Sequence, residues 1–331
     1  MIVHLNKNIG REDAQKLAAK YKATLFENGR MVLVTSSKVK AAEGELKDAA
    51  EEIFVTDTDI QLASKKYLAT ARQINLGDIA IGGSTNNSVI ITGPCSVESE
   101  GQIEASAQLC VELGVKILRA GAYKPRTSPY TFQGLGLEGL KLLDKMRSKY
   151  GLKIITEVRD STHADEVIEY ADIIQIGAKS MYDHGILRKC GQTKKPVLLK
   201  RGFGTTLQEF VQSAEFILSG GNPNVILCER GIRTFETKTR FTLDLCGAVW
   251  LKENTNLPIV LDPSHAIGYA YGVPDLARAC MALGADGLLI ESHPNPKEAK
   301  SDADQQLNFD EFRKLYQSLG KVAQAVGKNI V

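Results

Sequence analysis

The most regular feature of this sequence is a series of short apolar runs that alternate with longer segments of mixed character from residue 88 onward. The runs are almost wholly apolar, as in parallel strands that are buried on both faces. The mixed segments have the periodicity of amphipathic helices. Eight such units predict a (β/α)8 TIM barrel, an α/β fold, rather than an open sheet. The predicted strands lie at 88–94, 115–119, 153–157, 173–177, 196–200, 224–228, 258–262 and 287–291.

The first sixty residues follow a different pattern, in which two short apolar runs flank an Asn28-Gly-Arg30 turn. An Asn-Gly pair between apolar runs is a strong hairpin signal. The order of elements is βαββαβ, which is typical of a ferredoxin-like α+β fold. We therefore expect residues 1–60 to form a small ferredoxin-like domain in front of the barrel. The predicted elements are strands at 2–5, 23–26, 31–34 and 54–55 and helices at 11–21 and 40–53.

Residues 61–87 show no long periodic pattern and predict a connector between the two domains. The apolar segments 73–81 and 88–92 flank a Gly-Gly-Ser-Thr-Asn-Asn sequence, whose residue types favour turns. This arrangement predicts an added hairpin that closes the bottom of the barrel. The barrel itself is then expected to occupy residues 88–331.

The composition fits an ordinary globular chain of 331 residues that is 43% hydrophobic and 24% charged. A formal net charge of +2 without a run of Lys and Arg argues against general nucleic-acid binding. The N-terminal segment lacks the pattern of a signal peptide, and no apolar run is long enough to cross a membrane. We therefore expect a cytoplasmic protein. Its six cysteines lie apart in apolar segments, which indicates that most are core thiols and argues against a disulfide framework.

Polar residues follow every predicted barrel strand, and a barrel brings the carboxyl ends of all its strands to one mouth. Cations outnumber acids there, and burying unpaired charges is costly. Arginine forks and lysine charges in such numbers suit ligands with two or more phosphates. A ring of salt bridges with Glu157, Glu229 and Asp262 is the structural alternative. The cations are Arg119, Lys124, Arg126, Lys179, Lys200, Arg201 and Arg230.

Four further residues near the strand ends form a possible metal-ligand set: Cys95, His265, Glu291 and Asp302. Each has a structural alternative, since a lone cysteine is usually a core thiol and a lone histidine can be a hydrogen-bonded core residue. Together they offer one thiolate, one imidazole and two carboxylates. This mixture of soft and hard donors suits a divalent Mn, Fe, Co or Zn ion rather than Ca.

Six motifs at the strand ends are long enough to point to a family. They are Gly93-Pro-Cys-Ser-Val-Glu98, the segment 118–134 with Lys124-Pro-Arg-Thr127, Leu199-Lys-Arg-Gly202, Cys228-Glu-Arg-Gly231, Asp262-Pro-Ser-His265 and Glu291-Ser-His-Pro294. Together they resemble 3-deoxy-D-arabino-heptulosonate 7-phosphate (DAHP) synthase, in particular its type I beta subclass. The likeness extends over residues 60–331, and residues 1–60 resemble the ferredoxin-like regulatory domain of some members.

The resemblance implies a transferase that condenses phosphoenolpyruvate with erythrose 4-phosphate and releases phosphate, at the entry to the shikimate pathway and aromatic amino-acid biosynthesis. It also implies a divalent metal ion, assembly into a homotetramer, and feedback regulation. By the same resemblance, an aromatic amino acid, tyrosine or phenylalanine, would bind at the N-terminal domain as the inhibitor.

Site roles follow from the resemblance residue by residue. Cys95, His265, Glu291 and Asp302 correspond to the metal ligands. Glu157 would orient the water that attacks phosphoenolpyruvate, and Lys124 would protonate the aldehyde oxygen. The implied phosphoenolpyruvate-binding residues are Arg119, Lys124, Lys200 and Arg230, and the implied aldose-phosphate residues are Arg126 and Thr127.

Two positions depart from the family pattern. Lys179 stands where relatives usually have Arg, and the segment Gly268-Tyr-Ala-Tyr-Gly272 replaces a basic run. Both changes affect the charge near the expected phosphate sites. Three alternatives therefore stay open: a sister synthase that uses another aldose phosphate such as arabinose 5-phosphate, a Schiff-base aldolase that uses Lys200, and a non-catalytic barrel that acts as a binding partner. Lys124-Pro-Arg-Thr127 favours the four-carbon acceptor, because octulosonate synthases usually read Asn-Arg-Ser-Ser there.

Overall fold

The computed structural model describes residues 1–124, 128 and 130–331, and eight parallel strands form a closed barrel within this part of the chain. Neighbouring strands pair in chain order, and the last barrel strand pairs with the first, which confirms the predicted barrel. The barrel strands are β7 (Asn87–Gly93), β8 (Ile117–Arg119), β9 (Lys153–Val158), β10 (Ile173–Ile176), β11 (Val197–Lys200), β12 (Val225–Glu229), β13 (Ile259–Leu261) and β14 (Gly287–Glu291).

The helices between these strands surround the barrel and bury their apolar faces against it. Several begin at residues that cap them: Thr206 and Asn308, for example, each form a capping box with a glutamate three residues on. A last short strand, β15 (Asn329–Ile330), pairs with the start of β7. The helices are α3 (Glu100–Leu113), α4 (Leu137–Tyr150), α5 (Ala164–Tyr170), α6 (His184–Gln192), α7 (Leu207–Ser219), α8 (Leu245–Asn254), α9 (Pro263–Ile267), α10 (Val273–Ala282) and α11 (Phe309–Ala325).

The apolar side chains of the barrel strands form two separate clusters because successive residues of a strand point to opposite faces. Ile90 and Leu118 join the outer cluster with the helices, whereas Ile91 and Ile117 join a cluster inside the barrel. Both faces are buried, which explains why the strands are almost wholly apolar in sequence. The polar residues that follow the strands are the exception to this apolar pattern, and they lie at one end of the barrel.

A hairpin made of β5 (Gln73–Leu76) and β6 (Ile79–Gly82) packs into the inner cluster. Asp78 in its turn pairs with Lys116, which lies just before β8, so the hairpin lies at the amino ends of the strands. Because the hairpin forms within residues 73–82, the predicted pairing of 73–81 with 88–92 is wrong. The chain reverses at Gly77, where φ is +68° and glycine carries little steric penalty, and the later segment is the first barrel strand.

The N-terminal unit contains one antiparallel sheet with the strands β1 (Ile2–Leu5), β2 (Thr24–Glu27), β3 (Met31–Val34) and β4 (Ala50–Phe54), in the order β2-β3-β1-β4. Its second helix is only one turn long, so the predicted helix at 40–53 is wrong. Gly44, with a φ of +53°, precedes that turn, and residues 50–54 pair with β1 instead of continuing as a helix. Tertiary pairing here outweighs the helix propensity of an Ala-, Glu- and Lys-rich segment. The two helices of this unit are α1 (Arg11–Lys20) and α2 (Glu45–Asp48).

The connector joins this unit to the barrel through the carboxylate of Glu215, which lies on α7. That carboxylate accepts hydrogen bonds from the backbone N–H groups of Gln61, Leu62 and Ala63, at 2.7, 3.1 and 2.8 Å. Ile2 of the small sheet also packs into the outer cluster of the barrel. The two units therefore share an apolar contact as well as this polar one.

Among the described residues, none of the helices combines the length and apolar character that a membrane crossing requires.

Candidate active site

The four predicted metal-ligand residues meet at the carboxyl ends of the barrel strands. Cys95 follows β7, Glu291 ends β14, and His265 lies on the short helix after β13. Asp302 comes from the loop after β14, with a φ of +48° that aspartate tolerates better than most residues. One ligand atom from each of these residues lies within 4.8 Å of the others.

The donor set fits a divalent transition-metal ion on geometry as well as chemistry. Nδ1 of His265 lies 2.8 Å from Oδ2 of Asp262, and Nε2 of the same ring lies 3.4 Å from Oε1 of Glu291. The carboxylate of Asp262 therefore lies against the Nδ1 side of the ring, close enough for an ion pair but not aligned for a hydrogen bond, and Nε2 lies on the side of the other donors. Sγ of Cys95 lies 3.2 Å from Oδ2 of Asp302.

The protonation of these groups also suits a cation. Burial lowers the pKa of His265, which favours the neutral imidazole that binds metals. Burial raises the pKa of the Cys95 thiol to about 12, so the thiolate needs a nearby cation. Burial alone would raise the pKa values of Glu291 and Asp302, but nearby positive charge outweighs it and lowers both. A protonated His265 ring would contribute most, and the permanent charges of Arg119, Arg240 and Lys124 act in the same direction.

Arg119 and Lys124 lie beside this cluster and are both buried. Nη1 of Arg119 donates to Oε1 of Glu291 and to the carbonyl of Pro94. Nζ of Lys124 lies 3.0 Å from both the sulfur and the carbonyl oxygen of Cys95. Burial would lower the pKa of Lys124, but Cys95, when it is a thiolate, and the carboxylates of Glu157 and Glu291 raise it, so the ammonium form persists. Arg119 and Lys124 therefore place permanent positive charge beside the four ligand residues.

Lys200 and Arg230 extend the positive charge across the mouth. Nζ of Lys200 lies 2.7 Å from Oδ2 of Asp262. The guanidinium of Arg230 lies over the rings of Phe241 and Phe203, 4.3 and 5.1 Å from their centroids. Burial lowers the pKa of Arg230, and cation–π contact partly compensates for the lost solvation of its charge.

Two buried nitrogens of these arginines have no hydrogen-bond partner among the described residues: Nε of Arg119 and Nη1 of Arg230. Buried donors are normally satisfied, and an unsatisfied one costs about 1–3 kcal/mol. Oxygen atoms of an anion would supply the missing acceptors. This observation favours an anion-binding site over a closed ring of salt bridges.

Glu157 provides a carboxylate on the other side of the mouth, near the end of β9. The side chain of Gln175, on the neighbouring strand β10, donates a 2.8 Å hydrogen bond to it. Gly177 lies so close that an added Cβ would stand 2.1 Å from Oε1 of Glu157. One oxygen is therefore held by an amide and the other lies against bare backbone.

The remaining predicted cations have different surroundings. Lys179 lies on a 3₁₀ turn, Ala178–Ser180, and lines the same cleft as Lys124, Glu157 and Arg230. Arg201 is paired with Glu229 and Asp244 at 2.9 and 2.8 Å, so the structural alternative holds for this residue. The predicted residues Arg126 and Thr127 lie outside the described residues.

Comparison with known proteins places the chain in a family. Residues 57–328 match the model of the DAHP synthetase I family. This match covers most of the chain, including every strand of the barrel and all the residues of the mouth. The chain belongs to the DAHP synthetase I family. The resemblance drawn from the strand-end motifs is therefore confirmed, as is the prediction of an enzyme of this class.

Individual relatives of the DAHP synthetase I chain agree with this assignment. A phospho-2-dehydro-3-deoxyheptonate aldolase of Thermotoga maritima is 46% identical over 292 residues, which cover 88% of this chain and 86% of the relative. A 2-dehydro-3-deoxyphosphooctonate aldolase of Fusobacterium nucleatum is 30% identical, covering 77% and 98%. The crystal structure of the Thermotoga maritima DAHP synthase superposes with a TM-score of 0.81 at 41% identity and covers 100% of this chain and 99% of that one.

Some residues of the mouth were not predicted from sequence. Gln175, Phe203, Phe241, Arg240 and Gln305 contact the predicted residues but are not themselves of the types that usually bind metals or perform acid–base chemistry. Gln175 would have been the easiest of them to predict, because it lies on the strand next to that of Glu157. Gln305 and Arg240 come from loops, where spacing carries no information about contact.

Proposed function

We propose that this protein is a DAHP synthase that condenses phosphoenolpyruvate with erythrose 4-phosphate and releases inorganic phosphate. Membership of the DAHP synthetase I family and the 46% identity to a phospho-2-dehydro-3-deoxyheptonate aldolase support this activity. At the level of residues, the proposal rests on the mouth of the barrel, where two buried arginine nitrogens that have no partner within the described part of the chain lie beside a four-residue ligand set. Two anions and one cation would satisfy that arrangement.

In this proposal Arg119, Lys124, Lys200 and Arg230 hold phosphoenolpyruvate. All four side chains are buried, so an anion between them interacts with their charges in a medium that screens little. Arginine forks would grip its oxygens in pairs, and the lysines would act as point charges. Lys179, which lines the same cleft, is placed to add a further point charge. Arg126 and Thr127 would bind the phosphate of the aldose, by family resemblance.

Cys95, His265, Glu291 and Asp302 would hold a divalent ion of the Mn, Fe, Co or Zn type. When bound, such an ion supplies Lewis acidity toward the aldehyde and a fixed positive charge. The Asp262 carboxylate lies 2.8 Å from Nδ1 of His265, so its charge would favour the ring orientation in which Nε2 binds the ion. Arg119 neutralises part of the negative charge that two carboxylates and a thiolate would bring together.

The protein groups account for the proton transfers. The C3 carbon of phosphoenolpyruvate forms the new bond to the aldehyde carbon, and the aldehyde oxygen takes up a proton from the Lys124 ammonium. Water then attacks C2 of the former phosphoenolpyruvate, with Glu157 orienting it and accepting its proton. The bond between C2 and the oxygen that carries the phosphate then breaks as the hemiketal collapses to the ketone. The phosphate leaves with the electron pair of that bond and takes up the proton that the C2 hydroxyl releases. Fixed cations favour this sequence because they hold both anions in attack geometry and require no reorganisation.

Residues 1–60 are proposed to be a ferredoxin-like regulatory domain. Its sheet order, β2-β3-β1-β4, and its element order βαββαβ support that description, although its second helix is a single turn. The proposed metal and substrate residues all come after residue 88, so this unit supplies none of them. An aromatic amino acid, tyrosine or phenylalanine, would bind where such domains meet in a homotetramer and restrict access to the mouth.

The proposal is tested by measuring phosphate release from phosphoenolpyruvate with and without erythrose 4-phosphate. We expect release to require both substrates, to stop in excess chelator and to return when Mn²⁺ is added. Release that needs no aldose would indicate a phosphatase instead. Full turnover in a demonstrably metal-free sample would rule out the metal role of the four ligand residues.

A sister activity on arabinose 5-phosphate is the second candidate. It is favoured by the relatives at 30–32% identity that are 2-dehydro-3-deoxyphosphooctonate aldolases. The higher identity to the heptonate enzyme and the Lys124-Pro-Arg-Thr127 motif argue for the four-carbon acceptor.

A Schiff-base aldolase would be revealed by borohydride trapping of substrate on Lys200 and by insensitivity to chelator.

A further inference from the structure

Gln305 is a buried amide that connects the proposed metal ligands to a rim arginine. Its side chain is on the 3₁₀ turn Ala303–Gln305, and the residue is only 1% exposed. Nε2 donates to Oε2 of Glu291 at 2.5 Å, and Oε1 accepts from Nη1 of Arg240 at 2.6 Å. Both ends of the amide are therefore used.

The chemistry of the two partners fixes which way the amide points. An ionised carboxylate can only accept hydrogen bonds, and a guanidinium can only donate them. Glutamine has one end of each kind, so the amide nitrogen must face Glu291 and the amide oxygen must face Arg240. A carboxylate at position 305 could not donate to Glu291, and an apolar side chain could satisfy neither partner.

Arg240 connects the same amide to two more of the ligand residues. Its Nη1 lies 3.3 Å from Oδ1 of Asp302. Its backbone N–H donates a 3.0 Å hydrogen bond to the carbonyl of Ile267, which lies on the same short helix as His265. Arg240 is therefore anchored at its backbone to the histidine-bearing helix and at its side chain to the loop that carries Asp302.

Glu291 is held differently at its two oxygens. Oε1 faces Arg119 and lies 3.4 Å from Nε2 of His265, on the side where the other ligand atoms converge. Oε2 is taken by Gln305. Because the amide occupies one oxygen, the carboxylate cannot rotate freely, and the other oxygen stays directed toward the cluster.

We propose that Gln305 and Arg240 form a positioning pair that holds Glu291 and Asp302 in the geometry for a divalent cation. The inference rests on the metal site of the proposed function. Neither residue is expected to contact the ion. Groups that orient metal ligands in this way typically change metal affinity by about 10–100-fold when they are replaced.

The test measures Mn²⁺ binding to the chelator-stripped full-length protein, with no substrate present. Free Mn²⁺ is read from its electron paramagnetic resonance signal during titration of the wild type, Gln305→Met, Arg240→Met and the double variant. Methionine keeps a similar length but removes the hydrogen bonds. We expect each single variant to bind Mn²⁺ about 10–100-fold more weakly.

The double variant distinguishes a connected pair from two independent contacts. If the amide transmits the position of Arg240, the double variant should bind Mn²⁺ within about twofold of the weaker single variant. Losses that multiply would overturn the pairing. Because Arg240 is partly exposed, its variant also provides a result if Gln305→Met does not fold.

Asn222→Leu serves as the matched control for a lost buried amide. Asn222 is fully buried and donates to the carbonyls of Cys190 and Lys195, which contribute no ligand to the site. This variant should lower the melting temperature but leave Mn²⁺ affinity unchanged. Unchanged affinity in both single variants, or an equal loss in the control, would overturn the positioning role while leaving the condensation activity intact. A wild type that binds no Mn²⁺ but still turns over would overturn this inference together with the metal role of the four ligand residues, and would leave the condensation activity itself standing.

Discussion

Gln175 and Glu157 face each other across neighbouring strands, and Nε2 of Gln175 donates a 2.8 Å hydrogen bond to Oε2 of Glu157. Both residues are buried. The hydrogen bond fixes the carboxylate that we propose orients and deprotonates the attacking water. Its geometry follows from the parallel register of β9 and β10, which places the two residues directly opposite each other.

Gln175→Met should therefore slow the chemical step more than it weakens substrate binding. A hydrogen bond to a charged group contributes about 1.5–3 kcal/mol, so we expect kcat to fall about 10- to 100-fold. The KM for phosphoenolpyruvate should stay within about twofold, because Gln175 is not among its proposed ligands. Steady-state kinetics measure both constants. A change confined to KM would show that Gln175 acts on substrate binding rather than through Glu157.

Arg126→Ala should raise the KM for erythrose 4-phosphate by about tenfold or more. A lost phosphate fork mainly weakens the binding of its own substrate, so the KM for phosphoenolpyruvate should change by less than about twofold. Initial rates with each substrate varied in turn give both values. Equal effects on the two substrates would assign Arg126 to a shared or structural role.

Glu215 should make the stability of the folded chain depend on pH. Burial raises its pKa to about 7 from an ordinary value of 4.5, although the three backbone N–H donors oppose the shift. The folded chain therefore binds this proton more tightly than the unfolded chain. The contribution to stability is fully present below about pH 4.5 and is lost as the pH rises through 7.

Glu215→Gln removes this titration. Between pH 4.5 and 7, the free energy of unfolding of the wild type should fall relative to that of the variant by up to about 3 kcal/mol. Urea unfolding at several pH values measures the difference, with the exposed Glu253→Gln as the control. Parallel pH profiles for the wild type and Glu215→Gln would show that Glu215 does not titrate in this range.

Removal of the N-terminal unit should abolish feedback inhibition and spare catalysis. A chain that begins at Asp59 keeps the N–H donors of Gln61, Leu62 and Ala63 for Glu215. This truncated chain should turn over normally with or without the aromatic amino acid. The substrate affinity of the full chain should fall about 5- to 150-fold when the aromatic amino acid binds. A chain that begins near Lys66 should also be active but melt at a lower temperature, because the hydrogen bonds between Glu215 and the connector are lost.

Inhibition assays with tyrosine and phenylalanine on both truncated chains and the full chain decide the point. A folded but inactive chain beginning at Asp59 would give the N-terminal unit a role in assembly or structure. The same conclusion would follow if that chain were inhibited as strongly as the full chain.

The barrel was predictable because each of its strands is buried on both faces and therefore carries a continuous apolar run. The ligand set was predictable for a related reason: a barrel gathers strand ends, so Cys95, His265 and Glu291 could be expected together although they lie far apart in sequence. The small unit was less predictable. The helix propensity of residues 40–53 gave no sign that β1 would draw the last part of this segment into a sheet.

The contacts that orient the site could not be predicted from sequence. Gln305 and Arg240 meet only because the segments that follow β14 and β12 come together at the mouth of the barrel, and no spacing or periodicity reports such a contact. The pairing of Arg201 with Glu229 and Asp244 is another example. From sequence, this arginine is indistinguishable from Arg230, whose Nη1 has no partner among the described residues. The structure distinguishes the two, because carboxylates surround the guanidinium of Arg201 and aromatic rings lie against that of Arg230.

The most direct test of the proposed function is a competition between acceptors. The protein is given phosphoenolpyruvate with equal concentrations of erythrose 4-phosphate and arabinose 5-phosphate, in the presence of Mn²⁺, and the products are identified by mass spectrometry. We expect the seven-carbon product, 3-deoxy-D-arabino-heptulosonate 7-phosphate, to dominate, with one inorganic phosphate released for each molecule formed. A dominant eight-carbon product, or consumption of phosphoenolpyruvate without any sugar acid formed, would contradict the assignment.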